Sequence, residues 1–333
     1  MMNRFWRVGV AVSLMVVLVD GCGGRAGVAP GGSGQAGSDN ALERSCIQQG
    51  WQRVALQVAG LERRVLWKGP RNGWKNGAIL VLHGGGGQAD HFCAGGRLVQ
   101  PQIRFAEMAL ERGFAVFALD ATTDKVTDAQ GRPCGKRFDF SVLSRPNLDL
   151  PYVEMIIAET VPAKRPKGSN PAVFVTGLST GGYMTTRVGG ELGDRITAFA
   201  PVSAGDPYGT DTICDTALSE RTSAKGILVD RTTRKEIVND GACAAGAATG
   251  EAKWPATKGR RPPFKQFQNE ADGIVDISCM RKATAMLESN GFPANQPYVI
   301  PKRGRKDPFK HLWLDDYNVP LLDFFASQAA KGG

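Results

Sequence analysis

The sequence predicts an α/β protein built on one mostly parallel central sheet with helices on both faces. Three observations predict it: short apolar runs of strand length, helix-like segments between them, and small-residue motifs at the ends of two of the runs. The runs 77–83, 114–120, 172–178, 197–202, 264–268 and 297–300 read as strands. The segments 105–112, 150–161, 180–192, 278–290 and 317–328 read as helices. Strand–helix alternation suits parallel pairing, because each parallel crossover needs a connection of helix size. Ligands in such sheets bind at the carboxyl ends of the strands. The hydrophobic share of 42% and charged share of 22% are those of a globular protein. No repeat of solenoid period appears. One domain spanning 41–333 is therefore expected, with a long loop or lid at about 205–263.

The first motif is Gly177-Leu178-Ser179-Thr180-Gly181, between the 172–178 strand and the 180–192 helix. A Gly-x-Ser-x-Gly at a strand-to-helix turn forms a nucleophile elbow. The turn is tight enough that residues without side chains are needed on both sides of the serine. Its hydroxyl is then exposed at the top of the sheet. A serine in this place can also be an ordinary helix N-cap. The second motif is His83-Gly84-Gly85-Gly86-Gly87, which closes the 77–83 strand. The His-Gly-Gly-Gly pattern supplies an oxyanion hole in lipases and esterases, because bare glycine backbone brings N–H groups close to a developing negative oxygen. Gly85 and Thr180 are the expected donors, and His83 is expected to orient the loop rather than act as base.

Such a serine needs a histidine and an acid after it in the chain. The sequence holds three histidines, His83, His91 and His311, and only His311 follows Ser179. His91 reads as a surface residue or a neighbour of Cys93. The acid is expected at Asp272, in the loop after the 264–268 strand, with Asp276 and Asp206 as alternatives. Three ordered motifs at strand ends favour a catalytic site built from Ser179, Asp272 and His311.

These pieces resemble the α/β-hydrolases of the polyhydroxybutyrate depolymerase and feruloyl esterase group. The resemblance rests on LVLHGGGG (80–87), VFVTGLSTGGYMTTRV (173–188), ITAFAPVSAG (196–205), EADGIVD (270–276) and KHLWLDD (310–316), and covers roughly 61–328. It implies an α/β-hydrolase fold and an ester hydrolase acting through a Ser-His-Asp acyl-enzyme, with no cofactor and no metal. The substrate implied is a hydroxyalkanoate oligomer or polyester, a feruloyl ester or another small ester. The chain departs from the group at Gln268-Asn269, where members commonly read His-Gly, and in its long 205–263 span. The chain ends soon after the 317–328 helix, so no polymer-binding domain is expected and a soluble oligomer or small ester is favoured. A serine peptidase of the same fold and a non-catalytic ligand-binding lipoprotein are the competing readings. Trp254, Tyr208 and Trp313 can line a cleft or pack a core.

The N-terminus reads as a targeting signal. Arg4 and Arg7 precede an apolar stretch, 8–19, too short to span a bilayer. It ends Val19-Asp20-Gly21-Cys22, similar to a bacterial lipobox in which Cys22 is lipidated. Residues 1–22 are then a lipoprotein-type signal peptide and 23–40 a flexible Gly/Ser-rich tether. The expected location is outside the cytoplasm, lipid-anchored to the outer membrane on its periplasmic or cell-surface side, otherwise secreted. An exported chain meets oxidising conditions, so the remaining cysteines are expected to pair. The loops after the 77–83 and 114–120 strands suggest Cys93–Cys134, the long loop suggests Cys214–Cys243, and Cys46–Cys279 remains. No Cys-x-x-Cys pair and no histidine pair at ligand spacing support a metal. The net charge of +9 gathers at 231–235, 258–261 and 302–306 and reads as solvated surface, with no nucleic-acid motif present.

Overall fold

The structure is a computed structural model that describes residues 33–122, 125, 136–140, 146–208, 219–221, 228–230, 259–293 and 295–331. Its centre is an eight-stranded sheet. In chain order the strands are β1 (Gln52–Val58), β2 (Leu61–Lys68), β3 (Gly77–Leu82), β4 (Phe114–Leu119), β5 (Val173–Leu178) and β6 (Ala198–Val202). A separate two-stranded hairpin, β7 (Ser219–Arg221) and β8 (Leu228–Asp230), follows, and then β9 (Phe267–Asn269) and β10 (Tyr298–Ile300). The spatial order in the sheet is β1-β2-β4-β3-β5-β6-β9-β10. β2 runs antiparallel to both β1 and β4, and the six strands from β4 to β10 are parallel.

The helices are α1 (Ser33–Gln48), α2 (Gln100–Glu111), α3 (Leu150–Met155), α4 (Val161–Lys164), α5 (Thr180–Glu191), α6 (Ile277–Ser289) and α7 (Asp315–Ala329), with a π-helical turn, Ile156–Thr160, joining α3 to α4. Side chains alternate across each strand and so divide into two cores. Leu80 and Leu82 of β3, Phe117 and Leu119 of β4 and Val175 of β5 join Tyr152 of α3, Met184 of α5 and Leu287 of α6 on one face. Ile79, Val81, Val116 and Phe174 join Phe105 of α2 and Tyr317, Leu321 and Phe325 of α7 on the other. The central strands are buried throughout, which is why they read as continuous apolar runs rather than alternating ones.

Helix α1 begins at Ser33, inside the stretch expected to be an irregular tether. Its C-terminal half, 41–48, is held against the body by a disulfide. That attachment corrects two expectations. Cys46 is bonded to Cys93, with Cα atoms 5.4 Å apart, so neither Cys93–Cys134 nor Cys46–Cys279 is formed. The physical reason is the packing of α1 on the short 3₁₀ helix Ala89–Phe92 after β3: Gln49 Nε2 donates to the Cys93 carbonyl at 3.1 Å, and Cys46 and Cys93 share one core. Cys279 of α6 lies in the core on the opposite sheet face and is itself disulfide-bonded. The expected Cys214–Cys243 bridge, Cys134, the lipobox Cys22 with the signal segment, and most of the 205–263 loop lie outside the described residues. Among the described residues no helix is long and apolar enough to cross a membrane.

Candidate active site

Strand β5 ends at Leu178 and α5 starts at Thr180, which leaves Ser179 alone to make the turn. Its backbone is at φ 53°, ψ −118°, a region costly for any residue with a Cβ. The glycines on either side are obligatory. A Cβ on Gly177 would lie 2.5 Å from the Gly181 carbonyl oxygen, and one on Gly181 would lie 2.5 Å from the carbonyl oxygens of Leu82 and His83. The Ser179 side chain makes no capping hydrogen bond to α5, so the N-cap reading does not explain this serine. The strain is held by the Ser179 N–H donating to Val202 O at 3.0 Å and by the Tyr183 N–H donating to Ser179 O at 2.9 Å.

The acid and the histidine arrive from the other half of the sheet. Asp272 lies in the loop after β9 and is fully buried. Its Oδ1 accepts from the N–H groups of Ile274 and Val275 at 2.7 and 3.0 Å. Its Oδ2 accepts from His311 Nδ1 at 2.8 Å and from Gln268 Nε2 at 2.9 Å. His311 ends the 3₁₀ turn Pro308–His311 after β10 and is 3% exposed. The two loops are stitched to each other by backbone bonds, Asp307 N–H to Ala271 O at 2.9 Å and Gly273 N–H to Asp307 O at 3.2 Å. Donation to the carboxylate fixes the hydrogen on Nδ1 and leaves Nε2 as the acceptor. Nε2 is buried with no partner among the described residues, so no bond to Ser179 Oγ is formed; catalytic hydrogen bonds are often long without substrate.

The alternative acids are occupied elsewhere. Asp276 caps α6, accepting from Ser278 N–H at 2.8 Å, and pairs with Lys306. Burial pushes its carboxyl up, but those two partners hold it below the usual range. Asp206 accepts from the Tyr208 N–H at 3.0 Å.

The glycine loop is fastened from behind. His83 is fully buried, its Nδ1 lies 2.7 Å from Gly84 O, and its Nε2 accepts from the Ala121 N–H at 3.1 Å. The Gly86 N–H donates to Lys136 O at 2.7 Å. Among the described residues, no group accepts from the N–H of Gly85 or of Thr180, the two expected oxyanion donors. Behind them stands a charged cluster that the sequence reading did not find. Arg64 of β2 binds Glu43, Asp90 and Asp120 at 2.6, 2.6 and 2.7 Å, and Lys136 binds Asp120 at 2.9 Å. Burial alone would push the Asp120 carboxyl up; the cations Lys136 and Arg64 beside it hold it far below the usual carboxylate range. His91, on the turn carrying Cys93, is partly buried, and desolvation lowers its ring to about 4, with help from His83 and Lys136.

Tyr208 and Trp313 are core residues, 2% and 1% exposed, with hydrogen bonds to Glu191 and Asn318; Trp254 lies outside the described residues. Gln268 and Asn269, which brace Asp272, are marked in the sequence as a departure from the resembled group's pattern. Arg64 sits on β2, next to the sheet edge, in a mixed charged and apolar sequence with no apolar run, and its partners come from α1, the turn after β3 and the end of β4.

The sequence matches no family model and no curated protein. Solved structures of similar shape exist. One is the 2,6-dihydroxy-pseudo-oxynicotine hydrolase, at 14% identity and TM-score 0.55 over 90% of this chain and 74% of that one. Another is FphF, a fluorophosphonate-binding serine hydrolase of Staphylococcus aureus, at 12% identity and TM-score 0.51 over 83% of this chain and 98% of that one. Together with the strand order and the strained serine turn, they establish that the chain has the α/β-hydrolase fold.

Proposed function

We propose that the protein is an exported serine esterase. The observation that carries the reading is the 2.8 Å contact between His311 Nδ1 and Asp272 Oδ2, on the sheet edge where Ser179 makes its strained turn. Ser179 Oγ attacks an ester carbonyl while His311 Nε2 takes its proton. Asp272 keeps the ring oriented and stabilises the cation that forms. The tetrahedral oxyanion lies against the N–H groups of Thr180 and Gly85, each worth about 3 kcal/mol of barrier. The C–O bond to the leaving alcohol breaks as His311 returns the proton. Water, deprotonated by His311, then cleaves the acyl-enzyme and releases the acid.

The resemblance to the polyhydroxybutyrate depolymerase and feruloyl esterase group directs the substrate to a hydroxyalkanoate oligomer, a feruloyl ester or another small ester. The N-terminal pattern directs the enzyme to the cell envelope on a Cys22 lipid anchor. The test is an assay on short-chain nitrophenyl esters beside peptide anilides, with labelling by a fluorophosphonate probe. Ester turnover and labelling are expected, both abolished in Ser179→Ala. Preferential cleavage of the anilides would make the protein a peptidase. Absence of turnover and of labelling in the folded protein would leave it a binding protein.

A further inference from the structure

Gln268 stands where the resembled group commonly carries histidine, and the mechanism above does not use it. The residue is fully buried on β9. Its amide nitrogen lies 2.9 Å from Asp272 Oδ2 and 2.8 Å from the Val275 carbonyl oxygen. Both partners are acceptors only, so the NH₂ end must face them; a flipped amide would set its oxygen against a carboxylate and a carbonyl. Both amide hydrogens are thereby used. The other end of the group, Oε1, is buried with no partner among the described residues. Leaving a buried carbonyl unpaired is unfavourable, and the side chain tolerates it to keep both donations.

The consequence falls on Asp272. A fully buried carboxyl group needs hydrogen-bond donors on its oxygens, because an unpaired buried acceptor is costly. Among the described residues Asp272 has four, two on each oxygen, and the Gln268 amide is the only side-chain donor besides His311. The backbone N–H groups of Ile274 and Val275 pin Oδ1. Gln268 shares Oδ2 with His311 and so fixes the carboxylate's rotation about its own bond, and with it the direction from which the imidazole is held. The neighbouring Asn269 completes the device: its Oδ1 accepts from Ala271 N–H at 2.7 Å and its carbonyl from Asp272 N–H at 3.0 Å, a side-chain-braced turn that delivers Asp272 back over Gln268.

We propose that Gln268 is a positioning residue of the hydrolase, holding the Asp272 carboxylate in the orientation that aims His311. The inference rests on the serine esterase reading. Its test is Gln268→Met, nearly isosteric but unable to donate, with Gln268→His restoring an N–H at the same place. The expected result for Gln268→Met is a kcat lower by roughly 10- to 100-fold with KM within about twofold. The low-field proton resonance of His311 Nδ1 should be displaced or lost. Gln268→His should recover most of both. Wild-type kcat and an unmoved resonance in Gln268→Met would overturn the proposal. So would equal impairment of both variants with KM rising as kcat falls. Gln268→Glu keeps size and polarity but turns an oxygen toward Asp272, and decides the matter where Gln268→Met does not fold: loss of kcat is expected, and full activity would overturn the proposal. Ser179→Ala is assayed alongside. If Ser179→Ala keeps activity, the esterase reading falls first; if it is inactive while Gln268→Met is fully active, only the role of Gln268 falls.

Discussion

The carboxylate of Asp272 reaches His311 Nδ1 at 2.8 Å, whereas Asp276, four residues along the same loop, turns away to cap α6 and bind Lys306. The two aspartates are separable by experiment. Asp272→Asn is expected to lower kcat by about 10³- to 10⁴-fold, because an amide cannot hold the tautomer that leaves Nε2 free. Asp276→Asn should keep kcat within about threefold. Asparagine caps helices as well as aspartate does, so what the variant loses is the ion pair with Lys306, a cost in stability rather than in turnover. Equal loss of activity in the two variants, measured at matched folding, would put the acid in doubt.

Much of this arrangement is legible in the sequence because it depends on local necessity. A one-residue strand-to-helix turn forces Gly177 and Gly181, and histidine is scarce enough that His311 has no rival after Ser179. The parallel strands announce themselves as apolar runs because both faces of each are covered. What escaped has the opposite character. β1 and β2 form an antiparallel edge with mixed exposure and no apolar run, so nothing in the sequence singles out Arg63 and Arg64, which bind Asp149 and Asp120 in or beside the core. Cys46 pairs with Cys93, rather than with Cys279, because of where α1 docks, a long-range contact with no signature in spacing.

The Cys46–Cys93 bond closes a span of 47 residues and fastens α1 to the turn that presents Asp90 to Arg64. A loop of that length corresponds to about 4 kcal/mol on the chain-entropy relation. Cys46→Ala, or reduction, is expected to lower the melting temperature by roughly 5–10 °C for a domain of this size. Peptide mapping without reduction should return the 46–93 pair. Finding Cys93 joined to Cys134 would contradict the docking of α1.

Export is a separate matter of residues 1–40. The lipobox reading expects mature protein in the membrane fraction, labelled by radioactive palmitate, with Cys22→Ser blocking the label and releasing or leaving unprocessed the chain. A soluble mature protein beginning at a residue other than Cys22 would remove the lipid anchor while leaving the esterase chemistry untouched.

The clearest pH signature belongs to His91. Its ring is lowered from 6.5 to about 4 by desolvation, with His83 and Lys136 adding to the effect. The unfolded chain therefore binds the proton that the folded chain refuses, and stability must decline as pH falls from 6.5 toward 4. The full shift corresponds to about 3 kcal/mol; partial exposure of the ring reduces the expected loss to roughly 2 kcal/mol. The depressed carboxyls of Asp120 and Asp276 act in the same sense but only below 3.8, where they would protonate in the unfolded chain. Asp90 and Asp149, whose carboxyls burial raises, act oppositely. Subtraction isolates the histidine: denaturant melts of wild type and His91→Gln between pH 4 and 7 should diverge, the variant losing less stability on acidification. Parallel curves over that range would mean that the His91 ring is protonated as readily in the folded protein as in the unfolded chain.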